Sequence, residues 1–202
     1  KPMGSYFFIG PSRNGKTTAN DLLRTILGAN NCAAIRLTDF GNWHAAKDLL
    51  SIYANLPDED SKIDNKGDVS PLVFANFKTA ADHGEITMDK MRDQERYRVD
   101  CDFMSFFPMN HYPQWDLAGS GAEACVKRCW PIFFTHDFSA EDVKTTNFAE
   151  ETFTPKNLAP FVGVVLALAA YHTNHPLRKS ATMEAHNSLI ENETSSTSVY
   201  RD

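Results

Sequence analysis

Short apolar runs alternate with helical periodicities along the chain, and polar turns separate them. The first run, Ser5–Ile9, is rich in aromatic residues, ends at Gly10 and predicts a buried strand. Leucine and isoleucine then recur at helical spacing across Thr17–Leu27, which predicts an amphipathic helix that ends near Gly28. The beginning of the chain therefore predicts a strand, a glycine-containing loop and a helix.

The same pattern continues along the rest of the chain. The predicted strands are Ala33–Leu37, Leu50–Leu56, Phe103–Met109 and Trp130–Phe134. The predicted helices are His44–Leu50, Pro71–Ala81, Ala122–Cys129 and Leu158–Thr173. We expect a β-hairpin over Glu85–Asp102, a loop over Asp137–Pro155 and a disordered polar tail over Glu191–Asp202. Alternating strands and helices predict an α/β fold with a central, mainly parallel sheet flanked by helices.

These elements suggest a core over residues 1–138, a C-terminal helical appendage over 139–190 and a tail over 191–202. We expect the apolar face of the Leu158–Thr173 helix to pack in the interior. Its longest apolar stretch, Phe161–Ala170, is too short to span a bilayer, so we expect no membrane association. The chain opens directly on a strand, with no targeting sequence, which favours a cytoplasmic protein cut from a longer chain.

The net charge and the cysteine spacing bear on DNA binding, zinc binding and the redox compartment. With 20 basic and 26 acidic residues, the formal net charge is 20 − 26 = −6. Proteins that coat themselves in DNA are usually basic, so DNA binding would need positive charge concentrated in a pore or patch. Cys32, Cys101, Cys125 and Cys129 lack the spacing of a zinc site, which predicts free thiols in a reducing compartment.

The loop after the first strand carries the strongest chemical signal. Gly10–Thr17 reads GPSRNGKT and matches G-x-x-x-x-G-K-[ST], the phosphate-binding loop of P-loop nucleoside triphosphatases. Gly10 and Gly15 allow the backbone to wrap closely round a phosphate, with successive N–H groups pointing inward. The start of the following helix adds the positive end of its dipole. The sequence therefore predicts an ATP site with Mg²⁺.

Each polar residue of the loop has an expected role. The Lys16 ammonium would reach the β- and γ-phosphates, and the Thr17 hydroxyl would bind Mg²⁺. The expected nucleotide-binding residues are Gly10, Pro11, Ser12, Arg13, Asn14, Gly15, Lys16, Thr17 and Thr18.

A second strand is expected to supply the acidic residues. Asp58, Glu59 and Asp60 follow the apolar run Leu50–Leu56, after Pro57. Hydrolysis requires a carboxylate near Mg²⁺ and another that polarises the attacking water. We assign Asp58 to the metal and Glu59 to the water, although the choice among the three acids stays open.

Within the loop, Asn14 precedes the Gly-Lys pair in Arg13-Asn14-Gly15-Lys16. Three further signals follow the loop in order: Phe77-Lys78 with Gly84-Glu85 and a basic hairpin, then Asn110-His111-Tyr112-Pro113, then Lys127-Arg128 before an apolar strand. This order resembles superfamily 3 helicases, including the helicase part of phage and plasmid primase–helicases. The resemblance covers roughly Tyr6 to Phe138. It implies an AAA+-like P-loop core, and Asn110 as a polar sensor whose amide would contact the γ-phosphate or the attacking water.

The resemblance also implies partners. Arg128, or Lys127 in its place, would act as an arginine finger on the nucleotide of a neighbouring subunit. Lys90 and Arg92 would lie at a hairpin tip and contact the backbone of single-stranded DNA in a central pore. The implied protein is a homo-oligomer, a hexameric ring, whose full-length form carries a primase or origin-binding domain.

We expect an ATP-dependent DNA helicase or translocase that replicates a virus, phage or plasmid. The alternatives are a small-molecule or nucleotide kinase of the P-loop class and a nucleotide-binding module without turnover. For a viral or phage protein, the host cytoplasm is the expected location.

Overall fold

The computed structural model of the chain describes residues 4–59, 71–89, 96–113, 120–138, 148–174, 181–185 and 187–188. The strands in this part are β1 (Ser5–Ile9), β2 (Cys32–Ala33), β3 (Ala54–Asn55), β4 (Glu85–Asp89), β5 (Arg96–Asp100), β6 (Met104–Met109) and β7 (Cys129–Phe133). The α-helices include α1 (Lys16–Leu27), α2 (Trp43–Ala46), α3 (Pro71–Ala81), α4 (Ser120–Val126), α5 (Phe148–Thr152) and α6 (Pro155–Asn174). Residues 181–185 and 187–188 are also helical.

Five of these strands form a parallel sheet in the order β2-β3-β6-β1-β7. Strand β1 lies between β6 and β7, so that Ile9 pairs with Met109 on one side and Phe133 on the other. Strands β4 and β5 form a separate antiparallel hairpin. The protein is thus an α/β protein with a parallel central sheet flanked by helices, as the alternation of elements predicted.

The centre of the sheet is aromatic. Phe7 on β1 and Phe107 on β6 are neighbours in register, with ring centroids 5.3 Å apart. Phe77 of α3 meets both rings at 6.0 and 6.3 Å, and Phe40 meets Phe107 at 6.0 Å. All four side chains are at most 1% exposed. Strands this deeply buried read as continuous apolar runs, which is why β1 and β6 were predictable.

Two predicted strands are much shorter than expected. Instead of Ala33–Leu37, the strand ends at Ala33, because the buried Asn55 side chain bonds both the N–H and the carbonyl of Ile35 at 2.8 and 2.9 Å. A side chain therefore takes the place of a backbone ladder there. Of Leu50–Leu56, only Ala54–Asn55 is strand, since Ser51 adopts a positive φ of 60°.

Other predictions have mixed outcomes. Pro71–Ala81 is a helix as predicted, and Glu85–Asp102 contains the expected hairpin. The helix predicted over His44–Leu50 is a single α-turn followed by a 3-10 turn over Lys47–Leu49. Within the expected loop Asp137–Pro155, α5 forms a helix, so that prediction was wrong there. The predicted tail 191–202 lies outside the described residues, and the division at residue 138 stays a prediction.

Helix α6 leaves most of its apolar surface exposed. Leu158 and Val162 line a cleft of about 430 Å³ with Ile26 of α1. Beyond this cleft, large apolar side chains are between 40% and 64% exposed, namely Phe161, Val164, Val165, Leu166, Leu168 and Tyr171. The expected core packing of this helix is therefore wrong for most of its length in the described chain. Among the described residues, no helix is both long and apolar enough to cross a membrane.

None of the four cysteines forms a disulfide, as predicted, and their accessibility differs. Burial raises the pKa of the Cys101 and Cys125 thiols to about 12, and Cys129 is fully buried. Burial also raises the pKa of Cys32, which is opposed by Arg24, but this thiol is only half-buried.

We therefore expect native protein at pH 8 to be labelled by a thiol reagent at Cys32 alone, and at all four cysteines after denaturation. The labelling rate should rise with pH, because the thiolate is the reactive form and its fraction increases with pH. Mass spectrometry of peptides identifies the site, with Cys32→Ser as the control. Fast native labelling of Cys101 or Cys125 would contradict their burial.

Candidate functional site

The parallel sheet brings three separate segments to one edge. Strands β1 and β6 end side by side at Ile9 and Met109, and β3 lies next to β6. The carboxyl ends of parallel strands share an edge, which is where open α/β sheets bind ligands. The loop from Gly10 to Gly15, the residue Asn110 and the segment 57–59 therefore meet there.

The β1–α1 loop has an unusual backbone. Arg13 and Gly15 adopt left-handed conformations, with φ of 63° and 88°. A Cβ on Gly10 would collide with the carbonyl oxygen of Phe134 and the side-chain amide of Asn14, so only glycine fits. Left-handed residues next to right-handed ones direct successive backbone N–H groups toward a common point, a geometry that favours anions.

Lys16 is folded back over this loop. Its ammonium donates to the carbonyl oxygens of Gly10 and Pro11 at 2.6 and 2.7 Å, and to the side-chain oxygens of Asn14 and Asn110, both at 3.1 Å. The residue is only 4% exposed. These four acceptors are neutral carbonyl and amide oxygens, which bond an ammonium more weakly than an anion does.

Asn110 links Lys16 to an acidic residue. Its oxygen accepts from Lys16, and its amide nitrogen donates to a carboxylate oxygen of Glu59. The three side chains therefore form one hydrogen-bonded chain, although 94 and 51 residues separate their two pairs in the sequence. Asp58, in contrast, is exposed.

A small cavity of about 210 Å³ lies at this edge. It is lined by Ser12–Thr18 and Glu59, while Asp58 is not among its lining residues. It thus contains a cation in Lys16, hydroxyl oxygens such as that of Thr17, and one carboxylate. Within the described residues, no three His, Cys, Asp or Glu side chains cluster as a metal site.

The cavity opens onto the start of α1. Gly15 is the N-cap residue, no side chain caps the first turn, and that turn contains no acidic residue. The first N–H groups of a helix have no partner within the helix, so they and the helix dipole favour a bound anion. An anion is therefore the ligand that this end of the helix favours.

Two residues of α1 that the sequence analysis missed hold the acidic segment. Asn20 is 2% exposed, and its amide donates to the carbonyl of Pro57 at 3.0 Å. Arg24 donates to the carbonyl of Leu56 at 2.6 Å. Both lie on the helix face below Lys16, at intervals of four residues, which is the only sequence signal that could have indicated them.

Arg128 lies elsewhere. It directly precedes β7, and its carbonyl accepts from the N–H of Ser5, the first residue of β1. Arg128 therefore lies at the amino-terminal ends of these strands, opposite the end that carries the loop. Its guanidinium forms two hydrogen bonds with Asp82, at 2.7 and 2.6 Å, and these raise its pKa above the usual value. The structure therefore does not bring Arg128 to the β1–α1 loop. Lys90 and Arg92 lie outside the described residues.

The fold and site define an α/β protein with an anion-favouring loop at the carboxyl edge of a parallel sheet. Its fold is similar to that of a solved structure described as the A form apo structure of the NrS-1 C-terminal region, with a TM-score of 0.50 and 15% identity. The match covers 73% of this chain and 32% of that one, so the chain spans about a third of the length of its structural relative. No protein-family model matches the chain, and neither does any curated protein.

Proposed function

We propose that this protein binds ATP at the β1–α1 loop and hydrolyses it to drive movement along single-stranded DNA during replication of a virus, phage or plasmid. The observation that carries this proposal is the hydrogen-bonded chain from Lys16 through Asn110 to Glu59. It joins three motifs that the sequence assigned separately to phosphate binding, sensing and water activation. The strand order supports the same function, because it places β1, and so the β1–α1 loop, next to β6, the strand that Asn110 follows.

Binding would use the loop and the start of α1. The backbone N–H groups near Gly15 and the uncapped first turn would hold the phosphates. Lys16 would move its ammonium from the carbonyls of Gly10 and Pro11 to phosphate oxygens, exchanging neutral acceptors for charged ones. The hydrogen bonds of Lys16 thus keep its ammonium close to where it would act.

The residues around the cavity suit Mg²⁺, which prefers oxygen ligands and retains several waters. The Thr17 hydroxyl lines the cavity and would bind the ion, and the exposed Asp58 carboxylate would bind it through water. Mg²⁺ would supply charge neutralisation on the phosphate oxygens. Two oxygen donors and retained water are enough for such a site, so the small number of acidic residues is no obstacle.

Hydrolysis would depend on Glu59 and Asn110. The Glu59 carboxylate lines the cavity and would orient the attacking water and accept its proton. Asn110 fixes that carboxylate by donating to it and would contact the γ-phosphate or the water through the same amide. Because Asn110 also contacts Lys16, a change at the phosphate would reach Glu59 through one side chain.

Ring assembly and DNA contact rest on the resemblance to superfamily 3 helicases. We propose a hexameric homo-oligomer with Lys90 and Arg92 on the DNA backbone, and a primase or origin-binding domain in the full-length protein. A finger role for Arg128 would require its ion pair with Asp82 to open on assembly. The exposed Lys127, which pairs with Glu123, is the alternative.

The test is the ATPase rate of the whole chain with and without single-stranded DNA. We expect DNA to stimulate the wild-type rate. Lys16→Ala should abolish hydrolysis and weaken ATP binding about 10- to 150-fold, because bonds to a charged group are lost. Lys47→Ala, at an exposed lysine away from the cavity, serves as the matched control.

Two outcomes would contradict the proposal. Hydrolysis indifferent to DNA, at concentrations where the protein is oligomeric, would remove the translocase function and favour a kinase of the P-loop class. ATP binding without hydrolysis under any condition would favour a nucleotide-binding module without turnover.

A further inference from the structure

We propose that the segment Phe134–Phe138, directly after β7, forms the nucleobase-binding part of the site, with the Phe138 ring stacking on the base of the nucleotide. This inference rests on the proposed nucleotide site and extends it from the phosphates to the nucleoside. The sequence motifs assigned no residue to the base.

The segment is fastened to the β1–α1 loop at three points. The N–H of Phe134 donates to the carbonyl of Ile9 at 2.7 Å, which continues the pairing of β7 with β1. The buried Asn14 side chain donates to the carbonyl of Phe134 at 2.8 Å, and the N–H of Phe138 donates to the carbonyl of Arg13 at 3.0 Å. The loop and the segment therefore form one unit.

Two aromatic rings stand on this unit beside the loop. Phe138 is 42% exposed, and its ring packs edge to face against the exposed ring of His136, with centroids 4.6 Å apart. One edge atom of Phe138, Cε2, lies 3.6 Å from the position that a Cβ on Gly15 would occupy. An exposed phenylalanine beside Gly15, a residue that lines the polar cavity, offers a flat apolar face to a ligand.

The sheet order indicates the direction in which a nucleotide would lie. Asn110 follows β6 and Glu59 follows β3, so both are on one side of β1, and they mark the reacting end of the triphosphate. Phe134–Phe138 follows β7 on the other side of β1. A nucleotide whose γ-phosphate faces Asn110 and whose inner phosphates meet the start of α1 would direct its base toward Phe138.

Stacking on an aromatic ring tolerates different bases, because every base has a π face. We therefore expect Phe138 to add affinity for nucleoside triphosphates in general, with little discrimination between purines. The edge-to-face contact with His136 would keep the Phe138 ring oriented, which lowers the entropy lost on binding.

The experiment compares ATP with inorganic tripolyphosphate by isothermal titration calorimetry on the whole chain with Mg²⁺. Phe138→Ala should weaken ATP binding about 5- to 150-fold, the usual effect of losing a stacked base. It should leave tripolyphosphate affinity unchanged, because that ligand has no base. Phe138→Tyr should restore ATP affinity, and Phe161→Ala, at a phenylalanine exposed on α6, is the matched control.

The outcomes separate this inference from the proposed function. If Phe138→Ala weakens neither ligand, or weakens both equally, the base does not stack on Phe138 and the inference fails. Lys16→Ala should weaken both ligands in parallel, and that result tests the phosphate site alone. If the wild-type chain binds neither ligand, the proposed nucleotide site fails and this inference with it.

Discussion

Glu59→Gln is expected to lower the rate of ATP hydrolysis about 10²- to 10⁴-fold, the usual contribution of a general base. Glutamine keeps the shape of the side chain and an oxygen that can accept the hydrogen bond from Asn110. It removes the negative charge and the ability to take a proton from water. ATP affinity should therefore stay within a few-fold of wild type, so the loss is one of rate. Single-turnover hydrolysis at saturating ATP, together with calorimetric binding, measures the two effects separately.

Matched variants of acidic residues show which carboxylate activates the water. Asp58→Asn should raise the Mg²⁺ concentration needed for half-maximal rate, with little change at saturating Mg²⁺, because Asp58 is exposed and does not line the cavity. Glu150→Gln, at an exposed residue of α5, should behave as wild type. A large loss of rate in Asp58→Asn at every Mg²⁺ concentration, with Glu59→Gln active, would reverse the assignment of the two acids.

Phe107→Ala is expected to lower the free energy of unfolding by about 3–5 kcal/mol, the typical cost of truncating a buried phenylalanine. The ring lies at the centre of the sheet, 1% exposed, and contacts the rings of Phe7, Phe40 and Phe77. Removing it leaves a cavity between β6 and α3 that the parallel strands cannot close. Urea unfolding followed by circular dichroism, extrapolated linearly to water, gives the change in free energy.

Two further variants show whether burial is the cause. Phe107→Leu keeps most of the apolar volume and should cost about 1–2 kcal/mol. Phe161→Ala removes a phenylalanine that is 45% exposed on α6 and should change the free energy by less than about 0.5 kcal/mol. An equal loss in Phe107→Ala and Phe161→Ala would contradict the aromatic core described for this sheet.

The exposed helix α6 shows a limit of predicting packing from the sequence. Its residues from Phe161 to Ala170 are apolar on every side, a pattern usual for buried helices, and this predicted core packing. In the fold, Leu158 and Val162 line one cleft with Ile26 of α1, while the large apolar side chains from Val164 to Tyr171 are exposed. Periodicity predicts that a helix forms, but it does not indicate which neighbour covers it.

The short edge strands β2 and β3 show a second limit. Both segments are apolar enough to predict longer strands. In the fold, the Asn55 amide pairs with the backbone of Ile35 and replaces a ladder that the pattern had predicted. A polar side chain that bonds the backbone of a distant segment leaves no periodic signal in either segment, so the strand ends could not be predicted.

The sequence by itself determined the features that depend on near neighbours. These are the strand, loop and helix around Gly10–Thr17, the helix Pro71–Ala81, the Glu85–Asp102 hairpin and the buried character of β1 and β6. Each depends on side-chain periodicity, on turn residues or on the conformations open to glycine, and all of these act over a few residues.

Only the tertiary structure decided which distant side chains meet. It joined Glu59 to Lys16 through Asn110 and left Asp58 exposed. It paired Arg128 with Asp82 at the amino-terminal ends of β1 and β7. It also fastened Phe134–Phe138 to the β1–α1 loop. The physical reason is strand order: β1 pairs with strands that begin about a hundred residues later, and no local pattern encodes which strand ends become neighbours.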